Sequence, residues 1–149
     1  SLLRCHSPRV RSHTAATCFV DLDNFKQIND TMGHLAGDEV LRQVADVLKD
    51  VAGPENLVGR VGGGGFVVFV KTEQDRARET AEKILAGIQN ITVEGRNSTR
   101  ISGSVGIAIE PRDGRDYYAL LKRADACLYQ AKSEGKDRWY GEKEGQENI

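Results

Sequence analysis

Apolar positions along this chain follow two rhythms, and the switch between them predicts its elements. "TAATCFVDLD" is a near-continuous apolar run ending in two acids, which predicts a buried, central strand over 15–22. "DNFKQIND" places Phe25 and Ile28 three apart, as a short helix does. "TMGHLAG" reads as a loop. "DEVLRQVADVLKDV" puts Val40, Leu41, Val44, Val47, Leu48 and Val51 on one helical face, with Asp38 and Glu39 at the positive end of its dipole. "VAGPEN" breaks that helix. "NLVGRV" and "FVVFV" are strands of a hairpin joined by glycines.

The second half repeats the alternation. "EQDRARETAEKILAGIQN" is an amphipathic helix with Ala81, Ile84, Leu85 and Ile88 inside. "ITVEGRNSTRISGSVGIAIE" reads as two strands around a "GRN" turn. "DYYALLKRADACLYQAKSEG" is a helix closed by Gly135, and "DRWYG" is a short last strand. The order is β-α-α-β-β-α-β-β-α-β. Hairpins interspersed with helices predict an α+β fold: a central, mostly antiparallel sheet with flanking helices. Residues 1–14 read as a linker or a truncated helix, 15–141 as the domain, and 142–149 as a polar tail.

Composition narrows the function classes. At 149 residues the chain is one domain long, and 39% hydrophobic with 29% charged residues is the balance of a soluble globular protein. A formal charge of −1 gives no basic field for nucleic acid, and no apolar run is long enough to cross a membrane. Cys5, Cys18 and Cys127 are odd in number and lack metal-ligand spacing. Buried free thiols in a reducing cytoplasm are the expectation.

Several residues carry chemistry only when taken together. Asp21 and Asp23 end the first strand, and their i, i+2 spacing puts them on one face. Such a pair holds Mg²⁺ against a triphosphate, or else marks a strand terminus and a helix cap. Asn29 offers a donor and an acceptor to a base edge, or simply ends a helix. Asp38 is a guanine-reading carboxylate or an N-terminal cap. Lys132 and Lys136, four apart, clamp phosphates or complement the negative end of a helix. His34 is an isolated loop histidine.

In this order the segments are distinctive. "FVDLDNFKQINDTMGHLAGDEVL", "RVGGGGF", "SVGIA" and "LLKRADACLYQAKSEGKDR" resemble the GGDEF-domain family, the diguanylate cyclases, from about Thr17 to Trp139. The resemblance implies a fold like the palm of nucleotide cyclases and polymerases. It implies two GTP condensed to cyclic di-GMP by two domains meeting face to face, with Mg²⁺ on the phosphates. It assigns Asp21 to the metal, Asn29 and Asp38 to guanine, and Lys132 and Lys136 to phosphates. The second lysine is more often Arg in the family, so a bidentate fork becomes a point charge.

The chain departs from that pattern where the chemistry is done. The hairpin should read Gly-Gly-Asp/Glu-Glu-Phe, and both acids are replaced, by Gly64 and Gly65. The resemblance makes the first of them, at 64, the second metal carboxylate. Two preorganised charged groups at about 3 kcal/mol each correspond to a rate loss on the order of 10⁴-fold. The family's Arg-x-x-Asp product-binding motif falls on Gly53 and Asn56, so the expectation is no product feedback at that site. The expectation is a catalytically degenerate domain in cyclic di-GMP signalling, with weak or no Mg²⁺, GTP as a possible ligand and a possible homodimer. Its other partners would be the sensor or phosphodiesterase domains of a longer protein. The alternatives are a slow cyclase and a ligand-free interaction domain.

Overall fold

A computed structural model describes residues 13–73, 76–93 and 100–141. Five strands and four helices follow in order: β1 (His13–Leu22), α1 (Phe25–Met32), α2 (His34–Ala52), β2 (Leu57–Gly62), β3 (Gly65–Glu73), α3 (Ala77–Gln89), β4 (Gly103–Ile109), α4 (Tyr117–Ser133) and β5 (Trp139–Gly141). The sheet order is β2-β3-β1-β4-β5. Three neighbouring pairs are antiparallel, and β4–β5 is parallel. The apolar run of β1 therefore sits in the centre, flanked on both edges.

Strand alternation divides the side chains between two layers. Ala16, Cys18, Val20 and Leu22 of β1, with Phe66, Val68, Val70, Val105, Ile107 and Ile109, face α2 and α3. Val40, Val44 and Leu48 of α2 and Ala81, Ile84 and Ile88 of α3 close that layer. Each fully buried Val, Leu or Ile adds about 1.5–3 kcal/mol of transfer free energy. On the other face Phe19 and Ala108 meet Leu120 and Ala124 of α4.

Gly106 of β4 permits that second layer. A Cβ there would lie 2.1 Å from the Ala124 carbonyl oxygen and 2.3 Å from the Leu128 nitrogen. Strand and helix backbones touch at this point, so the "SVGIA" glycine is a packing requirement. Cys18 and Cys127 are buried free thiols, as expected; burial pushes the Cys18 thiol up to about 12.

Four expectations change. Residues 34–37 are helical, so the loop between α1 and α2 shrinks to Gly33. Asp38 is consequently the fifth residue of α2 and not its cap. The strand expected before the "GRN" turn does not form at 91–93, although Ile91 and Val93 are buried and Thr92 is exposed. That alternation satisfies the core without a ladder, because β5 already occupies the free edge of β4. The turn itself, residues 1–12 and the tail 142–149 lie outside the described residues. Finally, β1 begins at His13, inside the stretch assigned to the linker.

Gly106→Ala is expected to lower stability by about 3 kcal/mol or more, read as a fall in the urea midpoint. Gly59→Ala on the edge strand β2 meets nothing within 4 Å. It is expected to stay within about 1 kcal/mol of the wild type.

Candidate functional site

β1 ends on Asp21-Leu22-Asp23, and these three residues define the site. Asp21 pairs in register with Gly65 of β3 on one side and Ser104 of β4 on the other. Just beyond the strand, the Asp23 carboxylate is 2% exposed. It accepts four hydrogen bonds: Ser102 Oγ at 2.6 Å, Ser104 Oγ at 2.7 Å, Lys132 Nζ at 2.8 Å and the Asp137 backbone N–H at 3.0 Å. Its own N–H donates to the Ser102 carbonyl at 2.9 Å. Burial alone would push this carboxyl up. The hydrogen bonds from Lys132, Ser102 and Ser104, with the charge of Lys132, outweigh burial and hold it below its ordinary value.

Lys132 reaches the site from the last turn of α4. Its ammonium also lies 3.2 Å from Asp21 Oδ2, 3.3 Å from the Asp21 carbonyl oxygen and 3.2 Å from that of Leu22. Lys136 does not share the last helical turn, because α4 ends at Ser133. Gly135 closes the helix: the Lys136 N–H returns to the Ala131 carbonyl at 3.0 Å, a Schellman arrangement. The chain then stays left-handed through Lys136 (φ 65°) and Asp137 (φ 53°). That path brings the Asp137 N–H to Asp23 and the Lys136 ammonium to Asn24 Oδ1, at 2.9 Å. Asn24 is itself left-handed at φ 57°. All three non-glycine residues of positive φ among the described residues thus meet here, where surrounding bonds hold a strained backbone.

The hairpin covers the other side of Asp21. Gly62 and Gly63 carry positive φ, 116° and 49°, and make the turn. The Leu22 N–H donates to the Gly64 carbonyl at 3.0 Å, tying the hairpin to β1. A Cβ at Gly65 would lie 3.6 Å from Asp21 Oδ1, whereas one at Gly64 would press on the Cβ atoms of Leu22 and Phe25 at 3.2 and 3.1 Å. Position 65 therefore starts beside Asp21. The resemblance assigns the metal carboxylate to position 64, whose Cβ would start against Leu22 and Phe25.

Asn29 and Asp38 come from α1 and α2. The Asn29 side chain lies where a Cβ at Gly37 would be, so it packs on the backbone immediately before Asp38. Asn29 is half-buried and Asp38 exposed. The Phe25 side chain lies within 3.5 Å of both hypothetical Cβ positions, at Gly37 and at Gly64. It forms the wall between the Asn29–Asp38 pair and the hairpin. His34 is exposed at the start of α2.

A Mg²⁺ ion takes oxygen ligands in near-octahedral geometry. The end of β1 offers the Asp21 carboxylate and two main-chain carbonyls, and the ammonium of Lys132 already sits on all three. No group of three or more His, Cys, Asp or Glu suited to a metal ion occurs among the described residues. In this arrangement the Lys132 ammonium lies on the oxygens that a divalent ion would use.

Of the two readings the sequence allows for Asp23, metal ligand or helix cap, the structure overturns the cap. The cap position of α1 is Asn24, which makes no side-chain capping bond. Ser102, Ser104 and Asp137 were missed. The Ser-x-Ser spacing, placing two hydroxyls on one face at the entry to an apolar strand, was the available signal.

A five-stranded sheet with a glycine hairpin beside the acidic end of its central strand defines a nucleotide-cyclase-like palm. The GGDEF family model, described as "Diguanylate cyclase, GGDEF domain", matches residues 3–138, and the chain belongs to that family. Over 123 residues it is 37% identical to the bifunctional diguanylate cyclase/cyclic di-GMP phosphodiesterase MucR of Pseudomonas aeruginosa, covering 82% of this chain and 18% of MucR. Over 122 residues it is 35% identical to the cyclic di-GMP phosphodiesterase PdeR of Escherichia coli, covering 81% and 18%. The chain therefore spans less than a fifth of these two relatives. The active GGEEF domain of a Vibrio cholerae diguanylate cyclase superposes with a TM-score of 0.81 at 29% identity, covering 97% of this chain and 92% of that one. No helix among the described residues is long and apolar enough to cross a membrane.

Asp23→Asn is expected to cost about 2–4 kcal/mol, because an amide presents a donor to groups that are all donors. The sign of the pH dependence follows from the lowered carboxyl. The unfolded Asp titrates near ~3.9 and the folded one below it, so the unfolded chain binds the proton first as pH falls. The contribution of Asp23 is complete above the unfolded value and is lost as pH drops through the folded one. Urea midpoints across that acid range are expected to fall less steeply in Asp23→Asn than in the wild type.

Proposed function

We propose that this chain is a catalytically silent GGDEF domain that binds a guanine nucleotide and serves as a regulatory module of a longer cyclic di-GMP signalling protein. One observation carries this reading: the hairpin position that starts beside Asp21 is Gly65, and Asp21 is engaged by the Lys132 ammonium. Condensing two GTP requires charge to be stabilised at the reacting phosphates, and such preorganised groups are worth about 3 kcal/mol each. Neither signature side chain remains to supply it.

The recognition half is better supported. Asn29 and Asp38 lie on either side of the Gly37 contact, with a donor, an acceptor and a carboxylate available to a purine edge. Lys136 has a neutral amide as its partner, so its charge is left to act on phosphate. The short coverage of the relatives supports a module acting beside other domains.

Incubation with GTP and Mg²⁺, followed by chromatography, is expected to yield no cyclic di-GMP. Calorimetry is expected to show GTP binding, weakened about tenfold by Asn29→Ala or Asp38→Ala, the loss of one net hydrogen bond of about 1.4 kcal/mol. Product that accumulates and disappears in Asp21→Ala would make the domain a slow cyclase. Absence of nucleotide binding at millimolar concentration would leave a ligand-free interaction domain.

A further inference from the structure

The end of β1 is built as a cation site, and its cation is covalently attached. Four oxygens from consecutive residues converge on one point: the Asp21 carboxylate and carbonyl, the Leu22 carbonyl and the Asp23 carboxylate. They are hard, negative or dipolar donors of the kind that surround a divalent ion. The group within 3.3 Å of all four is the Lys132 ammonium.

This ammonium is held firmly. Its shortest bond is to Asp23, whose carboxylate is fixed by two serine hydroxyls and a backbone N–H. The side chain is 23% exposed, and its root lies in the last turn of α4 before the Schellman closure. A divalent ion entering the same oxygens would have to lie beside the ammonium or expel it from a buried carboxylate. The first is repulsive at short range, and the second leaves Asp23 without its countercharge. The hairpin offers no compensating carboxylate, because Gly65 is the residue that faces Asp21.

We propose that Lys132 is the resident cation of this site: its ammonium takes the place of a divalent ion at the end of β1, so the domain holds no divalent ion there and binds its phosphate ligand without one. The part concerning the cation stands apart from the nucleotide reading; the part concerning the ligand rests on it.

Mn²⁺ serves as the probe, followed through the electron paramagnetic resonance signal of the free ion. Wild-type protein is expected to leave that signal unchanged up to millimolar Mn²⁺, and its thermal midpoint is expected to be the same in Mg²⁺ and in EDTA. Lys132→Gln keeps a donor for Asp23 and removes the charge, and is expected to bind Mn²⁺ at least about tenfold more tightly than the wild type. Wild-type binding at micromolar Mn²⁺, or a midpoint raised by Mg²⁺, would overturn the proposal, and neither measurement needs a variant to fold. A folded Lys132→Gln with no gain in Mn²⁺ binding would overturn it too. In a separate arm, GTP affinity is expected to be equal in Mg²⁺ and in EDTA. A GTP affinity lost in EDTA overturns the ligand half. No GTP binding in either condition removes the nucleotide reading and leaves the cation measurements to stand on their own.

Discussion

The structure turns on one carboxylate. Asp23 is buried and accepts bonds from the segment entering β4, from β4 itself, from α4 and from the loop before β5. A buried charge of this kind is tolerable only when its lone pairs are filled and a countercharge is near. Filling them fixes the direction in which the chain leaves β1, the depth of the C-terminus of α4 and the path into β5. The left-handed residues Asn24, Lys136 and Asp137 follow from this, since the backbone must turn sharply on both sides to meet the carboxylate. Asp137 carries the connection to α3 as well, accepting a hydrogen bond from Gln89 at 2.7 Å.

Asp21 and Lys132 inherit their geometry from that arrangement. Asp21 is two residues before the anchor and so shares its side of the strand. Lys132 is placed by its bond to Asp23, and from there its ammonium necessarily lies against the Asp21 carboxylate and the two carbonyls. Two carboxylates then share the Lys132 ammonium, and the Lys136 ammonium lies next to them on Asn24 Oδ1. The Lys132 charge weakens the electrostatic pull of these carboxylates on an incoming divalent ion.

What could be read in the sequence divides along the same physical lines. Apolar periodicity located β1, α2, the β2–β3 hairpin, α3 and α4, because each has a face that must be buried. Periodicity failed at 91–93, where side chains alternate in and out without a neighbouring strand to pair with. It also failed at Gly33, where a single residue separates two helices and the polar stretch around it looked like a longer loop. Of the site, Asp21, Asn29, Asp38, Lys132 and Lys136 came from a resemblance carried by long motifs, and the fold brings the first, fourth and fifth to one place. The roles of Asp23, Ser102, Ser104 and Asp137 were not legible, since their bonds join positions some 80 to 110 residues apart.

The four hairpin glycines are two different pairs. Gly62 and Gly63 adopt backbone angles that an L-residue rarely takes, so the turn itself requires them. Gly64 and Gly65 have no such φ, and β3 begins at Gly65 in register with Asp21. Their conformation would admit a side chain; at 64 the neighbours Leu22 and Phe25 would have to give by a few tenths of an ångström. The bond between Leu22 and Gly64 uses only the main chain, and it holds the hairpin on β1 whatever the side chain is. Loss of the acids therefore leaves the backbone of the hairpin, the sheet register and the Asp23 anchor in place, and alters only what faces Asp21. A fold held by its backbone turn and buried carboxylate accepts glycine at 64 and 65 without losing its shape, which is consistent with a TM-score of 0.81 against the active GGEEF domain from Vibrio cholerae.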